Sequence, residues 1–489
     1  MNITINNLNF GYPGGKQIFN NVSFNFDTDW KIGLISRNGR GKTTFLKILC
    51  GELEYTGNIT KNVSFEYFPP AITDKTKCAI DIVLGLDPMP DLWDIIQNMQ
   101  SLYMDENSLY VPFETLSYGE QFKLLLAVLF SKPNNFLLID EPTNHIDDNS
   151  KSQIKDFLKV KTGYIIVSHD RDFLDSTVDH IISINKTTID VERGNFSSWW
   201  QNKEYKDNFE ISENEKLNKE IKSLNKSIMD TAAWSQSAES HKGDRISGVK
   251  ADKGFMSHKA SKIMARSKAI EKRKLKMVDE KESLLKDVER VDDLFLIPLN
   301  NIKGNFIELK EVSLFYGDKQ VAKDINFSIN QGDKVCLAGK NGSGKSSVIK
   351  LIMGENITFT GKIYKNSRIK IAYCPQYFEY TGTIDDYIQE TSADKKIMYT
   401  LLSILGFNFD NLKSNINDLS EGEKRKVILS KTLSCNADLY VFDEPLNYID
   451  AISRMQIEKL LSASDATMLF VDHDKKFCNS VQTKTVILS

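Results

Sequence analysis

The sequence lacks any paired-cysteine pattern, any long hydrophobic run and any strong charge of one sign. Its six cysteines, Cys50, Cys78, Cys336, Cys374, Cys435 and Cys478, are scattered over 489 residues without a CxxC spacing. That excludes a recognisable zinc or iron–sulfur motif and a disulfide framework, and fits a reducing compartment. No stretch approaches the roughly 18 apolar residues a membrane span needs. The longest apolar runs, such as Phe136–Ile139, have the length of buried strands. The first twelve residues alternate like a strand and lack the charged start and apolar run of a secretory signal. The expected setting is therefore cytoplasmic, with no membrane contact of the chain's own. The formal net charge is −3, so no chain-wide bias points to nucleic acid, and any basic surface is local.

What is present is a duplication. One offset of 303 residues separates Lys42 from Lys345, Glu120 from Glu423 and Asp140 from Asp443, and 304 separates His169 from His473. Four landmarks in one register imply a repeated domain. The length independently calls for two or three domains. The boundaries read from the pattern are 1–203 for the first copy, 204–303 for a linker and 304–489 for the second copy. The predicted fold class is α/β, with two phosphate-binding-loop domains joined by a long antiparallel helical hairpin.

The second copy carries the fuller motif. Gly339-Lys340-Asn341-Gly342-Ser343-Gly344-Lys345-Ser346 follows the apolar Lys334–Ala338 and precedes the helical Ser347–Met353. This strand–loop–helix context is what a phosphate-binding loop requires. Its glycines let backbone N–H groups turn toward phosphates, and the helix N-terminus adds a favourable field. Lys345 is expected to reach the β- and γ-phosphates of ATP, and Ser346 to ligate Mg²⁺. In the first copy Ser36 replaces the leading glycine, whereas Asn38, Gly39, Gly41, Lys42, Thr43 and Thr44 keep the pattern of Asn341, Gly342, Gly344, Lys345, Ser346 and Ser347. A serine is tolerated there if its backbone angles suit an L-residue. Downstream, Phe136–Glu141 and Leu439–Glu444 are apolar runs ending in two acids, the form of a buried parallel strand opening on a site. Asp140 and Asp443 are expected to hold Mg²⁺. Glu141 and Glu444 are placed to polarise the attacking water.

At these motifs the resemblance is plain. Leu116-Ser117-Tyr118-Gly119-Glu120 and Leu419-Ser420-Glu421-Gly422-Glu423, the Asp-Glu-Pro runs, and the histidines of Val167-Ser168-His169-Asp170 and Val471-Asp472-His473-Asp474 resemble the signature, Walker B, D-loop and H-switch of the ATP-binding-cassette superfamily. The resemblance implies that two cassettes close face to face around two ATP molecules. Lys42 and Glu141 would share one with Ser420, Gly422 and Glu423. Lys345 and Glu444 would share the other with Ser117, Gly119 and Glu120. His169 and His473 would sense the γ-phosphate. Tyr12 and Tyr316 fall where the family stacks a ring on adenine, the alternative being strand aromatics in the core. Thr43, Ser346 and Gln376 would complete the Mg²⁺ sites. Three departures predict unequal sites: Pro70 stands in place of a Q-loop glutamine like Gln376, and Tyr118 and Glu421 replace the signature's first glycine.

Between the copies the sequence changes character. Leu217, Ile221, Leu224 and Ile228 follow 4-3-4 spacing, and Ile263, Ile270, Met277, Leu284 and Val291 recur every seven residues, both predicting helices with a coiled-coil seam. Residues 241–278 hold twelve Lys and Arg against three Asp and Glu, a local +9. A basic hairpin on an acidic body suits a phosphate-rich partner, whereas the bland reading is a solvated helix face. With this linker the chain resembles the ABC-F translation factors, and within them the Lsa-type resistance proteins. The carrying stretches include Arg37–Thr44, Asp140–His145, Arg193–Ser197, Met264–Lys268 and Asp443–Tyr448. The resemblance implies a monomer that binds the 70S ribosome at its E site. The linker would touch 23S rRNA and the P-site tRNA, displacing lincosamide, streptogramin A or pleuromutilin drugs. A housekeeping ABC-F factor and the ATPase subunit of a multi-chain transporter are the alternatives.

Overall fold

The computed structural model describes residues 2–14, 17–142, 146–185, 188–240, 269–270, 272–278, 294–299, 301–317, 319–340, 342–391, 393–472 and 474–488. The chain divides into two compact units, Met1–Trp199 with Val291–Ser489, and Trp200–Arg290. The first unit contains both repeats.

The first repeat runs β1 (Asn2–Gly11), β2 (Gln17–Asp27), β3 (Lys31–Ile35), α1 (Lys42–Cys50), β4 (Thr56–Thr60), β5 (Ser64–Phe68), α2 (Ala79–Leu86), α3 (Leu92–Ser101), α4 (Tyr118–Leu129), β6 (Asn135–Asp140), α5 (Asp148–Val160), β7 (Tyr164–Val167), α6 (Arg171–Thr177), β8 (His180–Ile184) and β9 (Ile189–Arg193), before the long α7 (Phe196–Ser240). The second repeat runs β10 (Asn305–Tyr316), β11 (Lys319–Asn330), β12 (Lys334–Ala338), α8 (Lys345–Met353), β13 (Thr358–Lys365), β14 (Ile371–Cys374), α9 (Ile384–Thr391), α10 (Lys395–Ile404), α11 (Glu421–Ser434), β15 (Leu439–Asp443), α12 (Ala451–Ala463), β16 (Thr467–Val471), α13 (Lys475–Val481) and β17 (Lys484–Ile487).

Each repeat has an antiparallel sheet, ordered β2-β1-β4 or β11-β10-β13, and a parallel one, ordered β5-β6-β7-β3-β8 or β14-β15-β16-β12-β17, with β9 added antiparallel to the first. The apolar runs became the central strands because only a strand covered on both faces tolerates continuous Phe, Leu and Ile. Phe136–Ile139 and Leu439–Phe442 are all buried. The duplication extends to backbone detail: Asn7 and Glu311 both have φ 50°, and Asn21 and Asp324 have φ 51° and 50°.

Gly41 and Gly344 open α1 and α8 at φ 92° and 87°. A Cβ on Gly41 would meet Ile18 Cγ2 at 2.6 Å, so only glycine makes this turn without strain. Ser36 is not among the residues with positive φ, so a serine is compatible with the loop as expected. At Gly339 a Cβ would lie 2.5 Å from Ser343 Oγ and 2.7 Å from Leu488 O.

In the second unit α7 covers the whole predicted Leu217–Ile228 seam, with Ile221 buried. Residues 269–270 and 272–278 are also helical. Lys274 Nζ donates to Ser227 O at 3.2 Å and to Ser227 Oγ at 2.6 Å. Ile270 and Met277 of the predicted heptad stripe are exposed and Val278 is buried instead, so the inner face of this segment runs through Lys274 and Val278, four residues apart. Ile263, Leu284, Val291 and most of the basic stretch 241–278 lie outside the described residues. Residues 294–299, on the linker side of the sequence boundary, run along the second cassette: Leu299 N donates to Ala437 O at 3.0 Å and Leu294 enters its core.

Candidate active site

The signature motifs fold as capped helix starts. Ser117 and Ser420 cap α4 and α11, each in a capping box with Glu120 or Glu423. The Ser-x-x-Glu spacing is the sequence mark of that motif. Ser117 Oγ donates to Glu120 Oε2 at 2.7 Å, and Ser420 Oγ to Glu423 Oε2 at 2.8 Å. The two glutamates thus serve the helix ends, and neither lines the cavity described next. Glu421 turns away from it to pair with Lys424 at 2.9 Å.

One cavity of about 1730 Å³ is lined by both phosphate-binding loops and by the second signature. Its walls include Tyr12, Asn38, Gly39, Gly41, Lys42, Thr43, Thr44, Asp140, Glu141 and His169 of the first cassette, and Gly339, Gly342, Gly344, Lys345, Ser346, Ser347, Gln376, Ser420, Gly422 and Glu444 of the second. Ser117, Gly119 and Tyr316 do not line it. Gly119 faces its own cassette, where a Cβ would meet Ser150 Oγ at 2.9 Å. Tyr12 and Tyr316 are 46% and 50% exposed, which removes the core-aromatic alternative for both. Asn341 and His473 lie outside the described residues.

The first loop is closed by the second cassette. Asn38 Nδ2 donates to Tyr448 O at 2.9 Å, and Asn38 N to Asp450 Oδ2 at 3.3 Å. Arg37 Nη1 donates to Ile404 O at 3.1 Å. Gly422 packs so tightly here that a Cβ would lie 2.5 Å from Asn38 Nδ2. Arg171 Nη2 meets Glu458 Oε2 at 2.5 Å, and Lys476 Nζ meets Asp172 Oδ1 at 2.5 Å. The predicted pairing of Lys42 and Glu141 with Ser420 and Gly422 is therefore brought together, whereas Ser117 and Gly119 stay outside the cavity that Lys345 lines.

Lys42 Nζ donates to Ser36 O at 3.1 Å, and Lys345 Nζ to Gly339 O at 2.9 Å. Burial pulls both ammonium groups below the usual lysine range, opposed at Lys42 by Asp450, Glu141 and Asp140, and at Lys345 by Glu444 and Asp443. Glu141 and Glu444 both sit at φ 50°, a strained position for a glutamate that aims the side chain at the strand ends. His169 Nε2 lies 3.0 Å from Glu141 Oε1. Burial pushes Glu141 up to about 7, only partly offset by Lys42, and burial with the Lys42 charge holds His169 well below its ordinary value. Glu444 instead accepts from Gln376 Nε2 at 2.8 Å and from Asn447 Nδ2.

The Mg²⁺ candidates form an all-oxygen donor set on each side. Thr43 Oγ1 donates to Asp140 Oδ2 at 3.2 Å, and Ser346 hydrogen-bonds Asp443. Asp443 Oδ1 and Glu141 Oε2 are buried without a hydrogen-bond partner. Hard oxygen donors with one or two carboxylates fit a Mg²⁺ that also binds substrate phosphates. Among the described residues no group of three His, Cys, Asp or Glu side chains gathers.

Several functional candidates escaped the sequence reading. Tyr67 OH donates to Asp140 Oδ2 at 2.7 Å, three residues before Pro70. Buried Arg425 gathers the carbonyls of Pro375 at 2.5 Å, Asp443 at 2.7 Å and Pro445 at 3.2 Å, tying α11 to the Gln376 and Glu444 loops. Its counterpart Phe122 packs edge-on against Phe68 at 4.5 Å. Asp450 is fully buried against Lys426 at 3.2 Å. The acid ending each Asp-Glu-Pro-x-Asn-x-x-Asp run was the available signal for Asp450.

With this geometry in hand, the relatives are informative. The chain matches the ABC transporter family over residues 19–144 and 322–447. It is 27% identical to "Ribosome protection protein VmlR" of Bacillus subtilis (strain 168), over 100% of this chain and 86% of that protein. It is 28% identical to "ATP-binding protein Uup" of Buchnera aphidicola subsp. Acyrthosiphon pisum, over 99% of this chain and 79% of that protein. Among solved structures, archaeal ribosome recycling factor aABCE1, in its complex with ribosomal stalk protein aP1, superposes with a TM-score of 0.59 at 18% identity, over 98% of this chain and 87% of that one, a likeness of fold. Two matched domains in register with two phosphate-binding loops make the assignment: the chain belongs to the ABC transporter family, as an ATP-binding ATPase of the ABC-F kind with both cassettes in one chain.

Proposed function

We propose that this chain is a ribosome-associated ATPase that acts in the cytoplasm as a monomer. Lys42 and Lys345 bind the β- and γ-phosphates of ATP, Glu141 and Glu444 polarise water, and His169 and His473 sense the γ-phosphate. Tyr12 and Tyr316 stack on adenine. Thr43 and Asp140 on one side, and Ser346, Asp443 and Gln376 on the other, would hold Mg²⁺, which would supply neutralisation of phosphate charge. In the ATP-bound closed state the protein enters the E site of the 70S ribosome. Its 204–303 linker contacts 23S rRNA and the P-site tRNA, and displaces lincosamide, streptogramin A or pleuromutilin drugs from the peptidyl-transferase centre. Hydrolysis releases it.

The observation that carries this reading is the end-to-end likeness to VmlR. The local +9 of residues 241–278 supports a phosphate-rich partner. Among the described residues no helix is long and apolar enough to cross a membrane, so a transporter role would rest on another chain. The likeness to Uup, described only as an ATP-binding protein, is of similar extent, and a housekeeping factor without drug protection is the second reading.

The test is co-sedimentation of Glu141→Gln/Glu444→Gln with ribosomes in ATP. The expected result is salt-sensitive pelleting that requires the linker. A protein that binds ATP but stays in the supernatant overturns the ribosomal reading. If it pellets, drug susceptibility on expression separates protection from housekeeping.

A further inference from the structure

We propose that Arg454 is a positioning residue for hydrolysis at the Lys42 site, acting from the second cassette by fixing the loop that carries His169. Arg454 sits in the first turn of α12, one turn beyond the N-cap Asp450. Its Nε donates to Ile449 O at 2.9 Å within its own cassette, and its Nη1 donates to His169 O at 3.1 Å in the other. A guanidinium is a rigid planar fork, so bonds at both ends fix one carbonyl relative to the other. Arg454 also lines the shared cavity.

The loop it touches is short and already held on both sides. Upstream, Glu141 N donates to Val167 O at 2.9 Å. Downstream, Asp170 caps α6 through Phe173 N at 3.0 Å. Between these points Ser168 Oγ accepts from Asp170 N at 3.1 Å, the Glu141 carboxylate accepts from the His169 backbone, and the His169 carbonyl accepts from Arg454 in the other cassette. The imidazole Nε2 then lies 3.0 Å from Glu141 Oε1. Moving that carbonyl moves the ring that faces the water-polarising glutamate.

The repeat provides an internal comparison. Lys151 occupies the position matching Arg454, and it pairs with Asp170 of its own cassette. One repeat sends a cation across the interface and the other keeps it at home. Arg454 therefore makes the His169–Glu141 arrangement conditional on closure of the second cassette over the first.

This inference rests on the assignment of Glu141 and His169 to hydrolysis, and not on the ribosomal reading. Turnover is read in a Glu444→Gln background, where only the Lys42 site can contribute. Adding Glu141→Gln tests that assignment: unchanged turnover would remove it, whatever Arg454 does. The test of Arg454 uses the same purified full-length chain without ribosomes, with ATP and Mg²⁺. Arg454→Ala is expected to lower kcat by about 10- to 100-fold, the scale of a small misplacement of reacting groups, with KM and the affinity for a fluorescent ATP analogue within about threefold of wild type. Arg454→Lys, which keeps one donor and the charge, should recover part of that loss, and Arg454→Gln gives a second neutral variant should the alanine protein fail to fold. An unchanged kcat overturns the proposal. So does a KM that rises while kcat holds, or a lysine variant no better than the neutral ones.

Discussion

The buried pair of Lys426 and Asp450 makes a stability prediction that can be worked from the geometry. Lys426 Nζ lies 3.2 Å from Asp450 Oδ2, with the two side chains 1% and 0% exposed. Asp450 Oδ1 also accepts from Ser453 N at 2.9 Å, and Oδ2 from Asn38 N at 3.3 Å. Burial alone would raise this carboxyl, but Lys426 and Lys42 together hold it well below the carboxylate range. Lys426→Met keeps most of the stem and removes the charge. An uncompensated buried carboxylate costs about 3–5 kcal/mol. For a domain of about 190 residues, at about 2–4 °C per kcal/mol, the melting temperature should fall by roughly 6–20 °C. Lys426→Met/Asp450→Asn should recover most of the loss, because no buried charge is left alone.

Calorimetry of the full chain measures both variants. In the wild type the Asp450 contribution is present above the unfolded carboxylate range and is lost as pH falls through its depressed folded value. In Lys426→Met the largest opposing charge is gone, so burial makes this carboxyl take a proton more readily than in the wild type. The deficit of the variant should therefore shrink as pH falls toward the carboxylate range. A melting temperature within about 2 °C of wild type, or a double variant worse than the single, would refute the reasoning.

Other consequences follow from the same geometry. Because burial pushes Glu141 up to about 7, turnover at its site should fall as pH drops through about 7, and a pH–rate profile lacking that limb would count against Glu141 as the base. Its raised folded value means that this group favours folding at low pH and loses that contribution as pH rises toward 7. Tyr67→Phe removes the 2.7 Å bond to Asp140 and should raise the Mg²⁺ concentration for half-maximal turnover by about tenfold, read from a metal titration. Gly422→Ala places a methyl 2.5 Å from Asn38 Nδ2 and should weaken closure of the cassettes more than Ser420→Ala, which removes a helix cap worth about 1 kcal/mol; ATP-dependent protection from proteolysis would rank them.

Much of this architecture was legible because it is written locally. A phosphate-binding loop needs its glycines and lysine within eight residues, and a fully buried strand needs an unbroken apolar run, so both repeats could be placed from spacing alone. Periodicity was less informative in the linker. It identified helix around Ile270 and Met277 but not the buried stripe, which passes through Val278. Helical spacing fixes the element, while the buried side depends on a partner that spacing does not name. The signature glutamates were read as nucleotide contacts, yet Glu120 and Glu423 close capping boxes, a use the same Ser-x-x-Glu spacing equally encodes. Arg425, Lys426 and Arg454 were invisible for a different reason. Their partners are carbonyls and a carboxylate of distant elements, Pro375 O, Asp443 O, Asp450 and His169 O among them, and no sequence interval links them.

The surroundings of the two Asp-Glu pairs differ in more than Pro70. In the first cassette Tyr67 faces the Walker B aspartate, Phe122 fills the place of an arginine with an aromatic pair, and Lys151 stays within its own cassette. In the second, Gln376 and Asn447 hold Glu444, Arg425 ties that loop to the signature helix, and Arg454 crosses the interface. Arg425, which ties the Glu444 loop of the second cassette, therefore belongs to α11, the helix that carries Gly422 against Asn38 of the first cassette. Rearrangement around Glu444 has a direct mechanical route, through Arg425 to the helix carrying Gly422, into the other site. Among the described residues the first cassette shows no matching carbonyl bonds, because Phe122 makes a ring contact where Arg425 makes them. Coupling should accordingly be directional: changes at Glu444 should alter hydrolysis at Glu141 more than changes at Glu141 alter hydrolysis at Glu444.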